Sequence, residues 1–159
     1  MDIFKLTGVF VVASCGIGGT YLLNLNARAA LWQAEGFLSL LRFLRSEVEC
    51  FALPIPSILA RCPEEIWRAC SYKAEAVPKN IEEVIKSSDI KDARILSCLE
   101  RFGRSFGRGY RQEQLSICDE CIGELEQIRK RIADQLPARI KTNGAICICS
   151  AMAVVILLL

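Results

Sequence analysis

Residues 99–114 read Leu99-Glu-Arg-Phe-Gly-Arg-Ser-Phe-Gly-Arg-Gly-Tyr-Arg-Gln-Glu-Gln114 and hold a Phe-Gly step twice, as Phe102-Gly103 and, four residues on, as Phe106-Gly107. Side chains three and four apart share a face of an α-helix. At about 100° per residue the stretch therefore sorts into three stripes. Ile95, Leu99, Phe102 and Phe106 form an apolar face, Gly103 and Gly107 lie on its flank, and Arg101, Arg104 and Arg108 fall on the opposite side. The phenylalanines offer area to bury. An interior glycine costs a helix about 1 kcal/mol against alanine, so two of them point to a packing reason, a place where another backbone comes close. Gly107 or Gly109 can instead end the helix as a left-handed cap, whereas the apolar face continues past Gly103. The arginine stripe is either a solvated face or a basic surface for an acidic partner or lipid headgroups.

The helical period persists on both sides of this stretch. Ala29–Phe51 contains no proline and carries a broad stripe of Leu31, Ala34, Phe37, Leu38, Leu41, Leu44, Val48 and Phe51. Nothing between Thr20 and Glu35 breaks a helix, so the preceding uncharged segment can run straight into it. Pro54 and Pro56 interrupt it, because each disfavours helix in the residue before. Ser57–Cys62 suits a short helix. Pro63-Glu64-Glu65 opens the next, with proline in the first turn and acids at the positive end of the dipole, and Ile66, Trp67, Cys70 and Ala74 as its apolar side. Val77-Pro78-Lys79-Asn80 reads as a turn and Ile81–Lys86 as a short helix. Ser88 is the expected cap of a helix running from Asp89 to about Phe106. Tyr110-Arg111-Gln112 opens a long final helix whose Leu115, Cys118, Ile122, Leu125, Ile128, Ile132 and Leu136 recur mostly in steps of three or four, the pattern of a helix laid along a partner. Pro137 and Asn143-Gly144 predict a kink or a fresh start there. No alternating strand pattern, repeat or low-complexity segment occurs.

Charge divides the 159 residues into three parts. Every charged residue except Asp2 and Lys5 lies between Arg28 and Lys141. The uncharged run Leu6–Ala27 is long enough to cross a bilayer as a helix, and Thr142–Leu159 is near the short limit. Gly8, Gly16, Gly18 and Gly19 give the first run a small-residue surface suited to close helix packing in lipid. A cleaved signal peptide is the rival for this run, with Ala27-Arg28-Ala29 as the cleavage site, but the run exceeds an ordinary h-region and its n-region sets one Lys beside one Asp. Arg28, Arg42 and Arg45 follow the first run; Arg129, Lys130, Arg131, Arg139 and Lys141 precede the second; the far side offers only Lys5. The positive-inside rule then puts the central segment in the cytoplasm and both termini outside. The expected architecture is all-α: a bundle of about six helices over residues 28–141, between transmembrane helices at 4–27 and 142–159.

Composition narrows the chemistry. A net charge of +2 argues against an electrostatically driven nucleic-acid binder. The absence of histidine removes most acid–base, triad and catalytic-zinc schemes. Of nine cysteines, Cys50, Cys62, Cys70, Cys98, Cys118 and Cys121 lie in the central segment, where a cytoplasmic setting keeps thiols reduced. Cys118-Asp119-Glu120-Cys121 has a redox or half-metal spacing. It lacks a second pair, and it lies inside a long helix rather than at a helix start where a thiol pKa falls, so two core-facing small residues are the plainer reading. Glu47, Glu49, Glu64 and Glu65 have the ordinary spacing of exposed helix faces. Gly103-x-x-x-Gly107 is followed by no Lys-Ser/Thr and is no phosphate loop. No catalytic, cofactor or metal residue is assigned.

Over nearly its whole length the chain resembles the stage III sporulation protein AB family. The resemblance rests on Lys5-Leu6-x-Gly8, on Glu47 followed by Pro54, on Phe102-Gly103-x-x-Phe106-Gly107, on Gln114 and Ile117 at the family's spacing, and on Lys141-Thr142-Asn143-Gly144 entering the last apolar run. Tyr110 stands where the family usually has Asp, and Pro137 and the cysteine content are unusual. The resemblance implies a mother-cell membrane protein of endospore-forming bacteria, a non-enzymatic scaffold of the channel complex joining mother cell and forespore. It also implies a domain similar to the cytoplasmic domains of the type II secretion F family. Implied partners are the companion secretion-type ATPase, stage III sporulation protein AA, and other channel subunits, with self-association open and no nucleic acid or small-molecule substrate. A platform protein of a type II secretion or type IV pilus-like system is the neighbouring reading. A membrane thiol oxidoreductase using Cys118 and Cys121 is the reading from another class.

Overall fold

The structure is a computed structural model that describes residues 3–51, 53–73 and 76–158, with side chains described from Leu25 to Cys149 except at 26, 27, 139, 143, 147 and 148. Among the described residues there are six helices: α1 (Ile3–Cys50), α2 (Ile55–Ala60), α3 (Glu64–Ala69), α4 (Ile81–Ser87), α5 (Ala93–Ser105) and α6 (Arg111–Leu158). They number six in all because the chain ends are not separate helices: the first continues into α1 and the last is the end of α6. Two compact units are defined, Met1–Arg28 with Ala133–Leu159, and Ala29–Ile132. The expected transmembrane segments, 4–27 and 142–159, fall largely on side chains outside the described residues. Among the described residues no helix is long and apolar enough to cross a membrane.

The Ala29–Ile132 unit is built on one core. From α1 it takes Ala30, Ala34, Phe37, Leu38, Leu41, Leu44 and Val48; from α2 Ile58 and Leu59; from α4 Ile81, Val84 and Ile85; from α5 Ile95, Cys98, Leu99 and Phe102; and from α6 Cys118, Cys121, Leu125, Ile128 and Ile132. Phe51, expected at the end of the α1 stripe, is exposed instead. It lies past the last helical residue, with the Arg61 guanidinium 4.8 Å over its ring in a cation–π contact. Within this unit α1 and α6 run antiparallel, since Glu35 pairs with Arg129 (3.5 Å), Arg42 with Glu126 (2.6 Å) and Arg45 with Asp119 (2.5 Å). Arg111 Nε, at the start of α6, donates to the Val48 carbonyl at the end of α1 (3.1 Å), where unsatisfied carbonyls favour a cation.

Local chemistry sets the short helices. Pro54 caps α2 in an extended conformation and Pro56 sits in its first turn. Pro63 precedes α3, whose first turn carries Glu64 and Glu65. At α4 the Asn80 side chain accepts from the Glu83 N–H (2.8 Å) while the Glu83 carboxylate accepts from the Lys79 N–H (2.8 Å), a close variant of the reciprocal capping box. Asp92, not Ser88, caps α5, accepting from the Arg94 N–H (2.9 Å). Ser88 instead ends α4 and bridges to Tyr72. The reason is tertiary. The buried Gln33 amide donates to the Asp89 carbonyl (2.6 Å) and accepts from the Lys91 N–H (3.0 Å), holding 88–91 out of the helix so that α5 begins four residues late.

Two further expectations change. Of the kink or fresh start expected at Pro137, the fresh start does not occur: α6 runs through it as one helix, short of the one hydrogen bond that the missing N–H removes. The close backbone contact expected beside Gly103 is found at Gly36. A Cβ built at Gly36 would fall on the carbonyl carbon and oxygen of Ala69 and within 2.9 Å of the Cys70 nitrogen. Gly36→Ala is therefore expected to destabilise the full-length chain by more than about 2 kcal/mol, the cost of forced backbone shifts, despite alanine's better helix propensity. Gly123→Ala, on α6 with nothing within 4 Å of its Cβ position, should stabilise by up to about 1 kcal/mol. Urea denaturation of the two variants separates a tight contact from ordinary helix punctuation.

Candidate functional site

The doubled Phe-Gly motif sits at the end of α5 and in the turn that follows. Phe102 and Phe106 are 2% and 5% exposed, and their rings stack with centroids 4.7 Å apart. Both are core anchors, as the apolar stripe predicts, but only Phe102 is helical. The helix ends at Ser105; Phe106 adopts φ −66°, ψ 135° and Gly107 φ +87°. These are the angles of the central residues of a type II turn, which needs glycine second. Gly107 is thus the left-handed terminator. Space requires it as well, since a Cβ there would run into Ile55 Cδ1 of α2. Gly103 faces side chains of α4, not its backbone: Ile85 Cδ1 at 3.3 Å, Glu82 Cγ at 3.6 Å and Ile81 Cγ2 at 3.7 Å from a built Cβ. Its absent side chain lets α4 lie close, but flexible chain ends form the contact, and they can give.

The three arginines do not make one stripe. Arg101 pairs with Glu124 of α6, and this hydrogen bond holds the guanidinium pKa above its ordinary value. Arg108 lies past the last residue of α5. Arg104 is exposed and lines an open cleft of about 240 Å³ with Glu82, Ile85, Lys86 and Glu100. Of the four acids Glu47, Glu49, Glu64 and Glu65, three are each held by a different arginine: Glu47 by Arg61 (3.1 Å), Glu49 by Arg45 (2.7 Å) and Glu64 by Arg68 (2.7 Å).

Gln114, in the first turn of α6, reaches back to donate to the Gly109 carbonyl (3.0 Å) and so fixes the turn between α5 and α6. Tyr110 immediately precedes α6, and its carbonyl accepts the Gln114 N–H (3.0 Å), the arrangement of an N-cap residue. Its side chain is 88% exposed. An Asp at this place would supply a side-chain cap, which tyrosine cannot.

Cys118 and Cys121 are buried on the inner face of α6. The thiol that Cys121 meets is Cys98 of α5, sulfur to sulfur at 3.5 Å. Burial pushes the Cys118 and Cys62 thiols up to about 12 and raises Cys70 as well. The two thiols share one hydrogen bond in which either can donate, and this contact lowers one member of the pair, Cys98, and raises the other. Sequence reasoning missed Gly36, Gln33 and the Cys98–Cys121 contact. For Cys98 the available signal was its place on the Ile95–Phe102 face, which shows that it points inward but not what it meets.

The unit is thus a helical body in which α1 and α6 run antiparallel and share one core with the short helices, with the Phe-Gly pair fastening α5 to it. The family model for stage III sporulation protein AB matches residues 5–159, and the chain belongs to that family of sporulation proteins. No curated protein and no solved structure matches it.

Three substitutions test the motif by urea denaturation of the full-length chain. Phe102→Ala should cost about 3–5 kcal/mol. Gly107→Ala should cost at least about 1–2 kcal/mol for the left-handed backbone alone, with the Ile55 clash added. Gly103→Ala should fall within about 1 kcal/mol of the parent, because improved propensity offsets the 3.3 Å contact. Separately, Tyr110→Asp should stabilise by about 1 kcal/mol near neutral pH. That gain disappears once acid protonates the carboxylate.

Proposed function

We propose that the chain is a membrane-held, non-enzymatic scaffold subunit of the channel complex between mother cell and forespore. Its central segment, 28–141, faces the mother-cell cytoplasm, and both termini lie across the membrane. The observation that carries this reading is the family match over residues 5–159, which takes in both uncharged ends and the helical body between them. The distribution of charge supports the orientation, since the basic residues flanking each uncharged run stand on the side of the body. The body itself is suited to presenting a fixed surface: α4 and α5 carry side-chain caps, and the two long helices are held in register by ion pairs. The partner expected on this reading is the stage III sporulation protein AA-type ATPase, with other channel subunits. The surface expected to meet it is the exposed end of α5, where no ion pair engages Arg104 or Arg108 among the described residues.

Tagged full-length chain isolated from sporulating cells should bring the ATPase with it. Arg104→Glu combined with Arg108→Glu should cut that recovery several-fold while leaving thermal stability unchanged. A cysteine placed at an exposed body position, in a background stripped of native cysteines, should resist impermeant maleimide until the cells are lysed. Ready labelling of intact cells would overturn the orientation, and recovery unaffected by the double charge reversal would overturn the docking face.

A further inference from the structure

Cys98 of α5 and Cys121 of α6 place their sulfurs 3.5 Å apart, close enough for one thiol to hydrogen-bond the other and for a bond to form after a small displacement. Both residues are buried, yet they are not sealed off. A cleft of about 110 Å³ lined by Cys98, Arg101, Phe102, Ser105, Glu120 and Cys121 reaches them. That volume holds several water-sized molecules, whereas a peptide-sized disulfide is too large for it. Glu124 and Arg101, paired with each other, line the same cleft and act on the Cys98 sulfur in opposite senses, Glu124 against negative charge and Arg101 for it. The other buried body thiols, Cys62, Cys70 and Cys118, are held protonated by desolvation. Cys98 differs, because its sulfur shares a hydrogen bond with the Cys121 thiol. Access for a small oxidant to a thiol already in contact with another is what singles out this pair, since the second thiol supplies the resolving partner.

We propose that Cys98 and Cys121 are a peroxide-responsive thiol pair whose oxidation staples α5 to α6. The Cys98 thiolate attacks one oxygen of hydrogen peroxide; an S–O bond forms, the O–O bond breaks, and the departing hydroxide takes up the proton Cys98 gave up, leaving as water. The Cys121 sulfur then attacks the sulfenic sulfur of Cys98; the S–S bond forms, the S–O bond breaks, and the leaving hydroxide departs as water with the Cys121 proton. Two thiols and one peroxide thus give one disulfide and two waters, with two electrons passing from sulfur to peroxide. An external dithiol reverses the step by thiol–disulfide exchange. The proposal stands apart from the scaffold reading and does not depend on it.

The test treats the purified full-length chain with graded hydrogen peroxide, blocks the remaining thiols with iodoacetamide, and maps the unreduced digest by mass spectrometry. The expected result is a cross-linked peptide joining Cys98 to Cys121 that forms at lower peroxide than any other change at a buried cysteine and is lost on reduction. In Cys121→Ser, which cannot resolve the intermediate, dimedone should trap Cys98 as a sulfenic-acid adduct. In Cys98→Ser neither the cross-link nor the adduct should form. Full alkylation of Cys98 and Cys121 at peroxide levels that oxidise the exposed Cys50 would overturn the proposal, as would a Cys118–Cys121 link in place of the expected one. The parent chain alone separates these outcomes, whether or not either variant folds.

Discussion

The contact of α1 with the end of α3 at Gly36 is the constraint on which the body depends. No side chain of any size fits between the Gly36 backbone and the Ala69 carbonyl. Because the two backbones touch, the chain after Ala69 is committed in direction. Cys70 is driven fully into the core, Ser71 takes a left-handed conformation at φ 58°, and Tyr72 reaches Ser88 in an antiparallel bridge. That bridge and the Gln33 amide hold residues 88–91 out of the helix, and the Asp92 cap then sets where α5 begins. The start of α5 determines which of its residues face inward. The phenylalanine pair at its far end is therefore positioned in part from α1, through a chain of backbone and amide contacts that acts beside apolar burial.

The far end of α5 is fastened by different means. Phe102 and Phe106 bury stacked rings, contributing both transfer free energy and the extra attraction of an offset aromatic pair. The turn at Gly107 brings the chain over Ile55, and Gln114 closes it from the first turn of α6. Exposed ion pairs between α1 and α6 add little stability of their own, but they fix the register of two helices whose apolar faces alone would tolerate sliding. Burial thus supplies most of the energy, and short polar contacts select one arrangement from several that would bury nearly as much.

What the sequence reveals follows from how local each signal is. The inward face of α5 and the core residues of α6 are legible because a helix repeats its signal every three or four residues. The left-handed turn at Gly107 is legible as one of two glycine readings, since a glycine after an apolar run is a local mark of a helix end. The identity of the glycine in backbone contact is not legible: Gly36 sits in a helical context no different from that of Gly123, and its partner Ala69 lies on another element. Ser88 and Asp92 are both good caps by residue type, and only Gln33, distant in sequence, decides between them. Cys98 and Cys121 each read correctly as inward-facing, while their meeting depends on how α5 and α6 are docked. The family, by contrast, is carried by motif spacing along the whole chain and is readable from residues alone.

Gly36 also works as a key in a keyway. An α-helix that slides along its axis by one residue advances about 1.5 Å and turns about 100°, which would present Glu35 or Phe37 to the Ala69 carbonyl where only a hydrogen atom fits. Gln33, three residues away on the same side of α1, would at the same time lose both hydrogen bonds to the segment before α5. Translation and rotation of α1 against the body are therefore blocked together at two points less than one turn apart. The helix has a single admissible azimuth, so any torque reaching this part of α1 is borne by the body as a whole and is not dissipated by slippage at the joint.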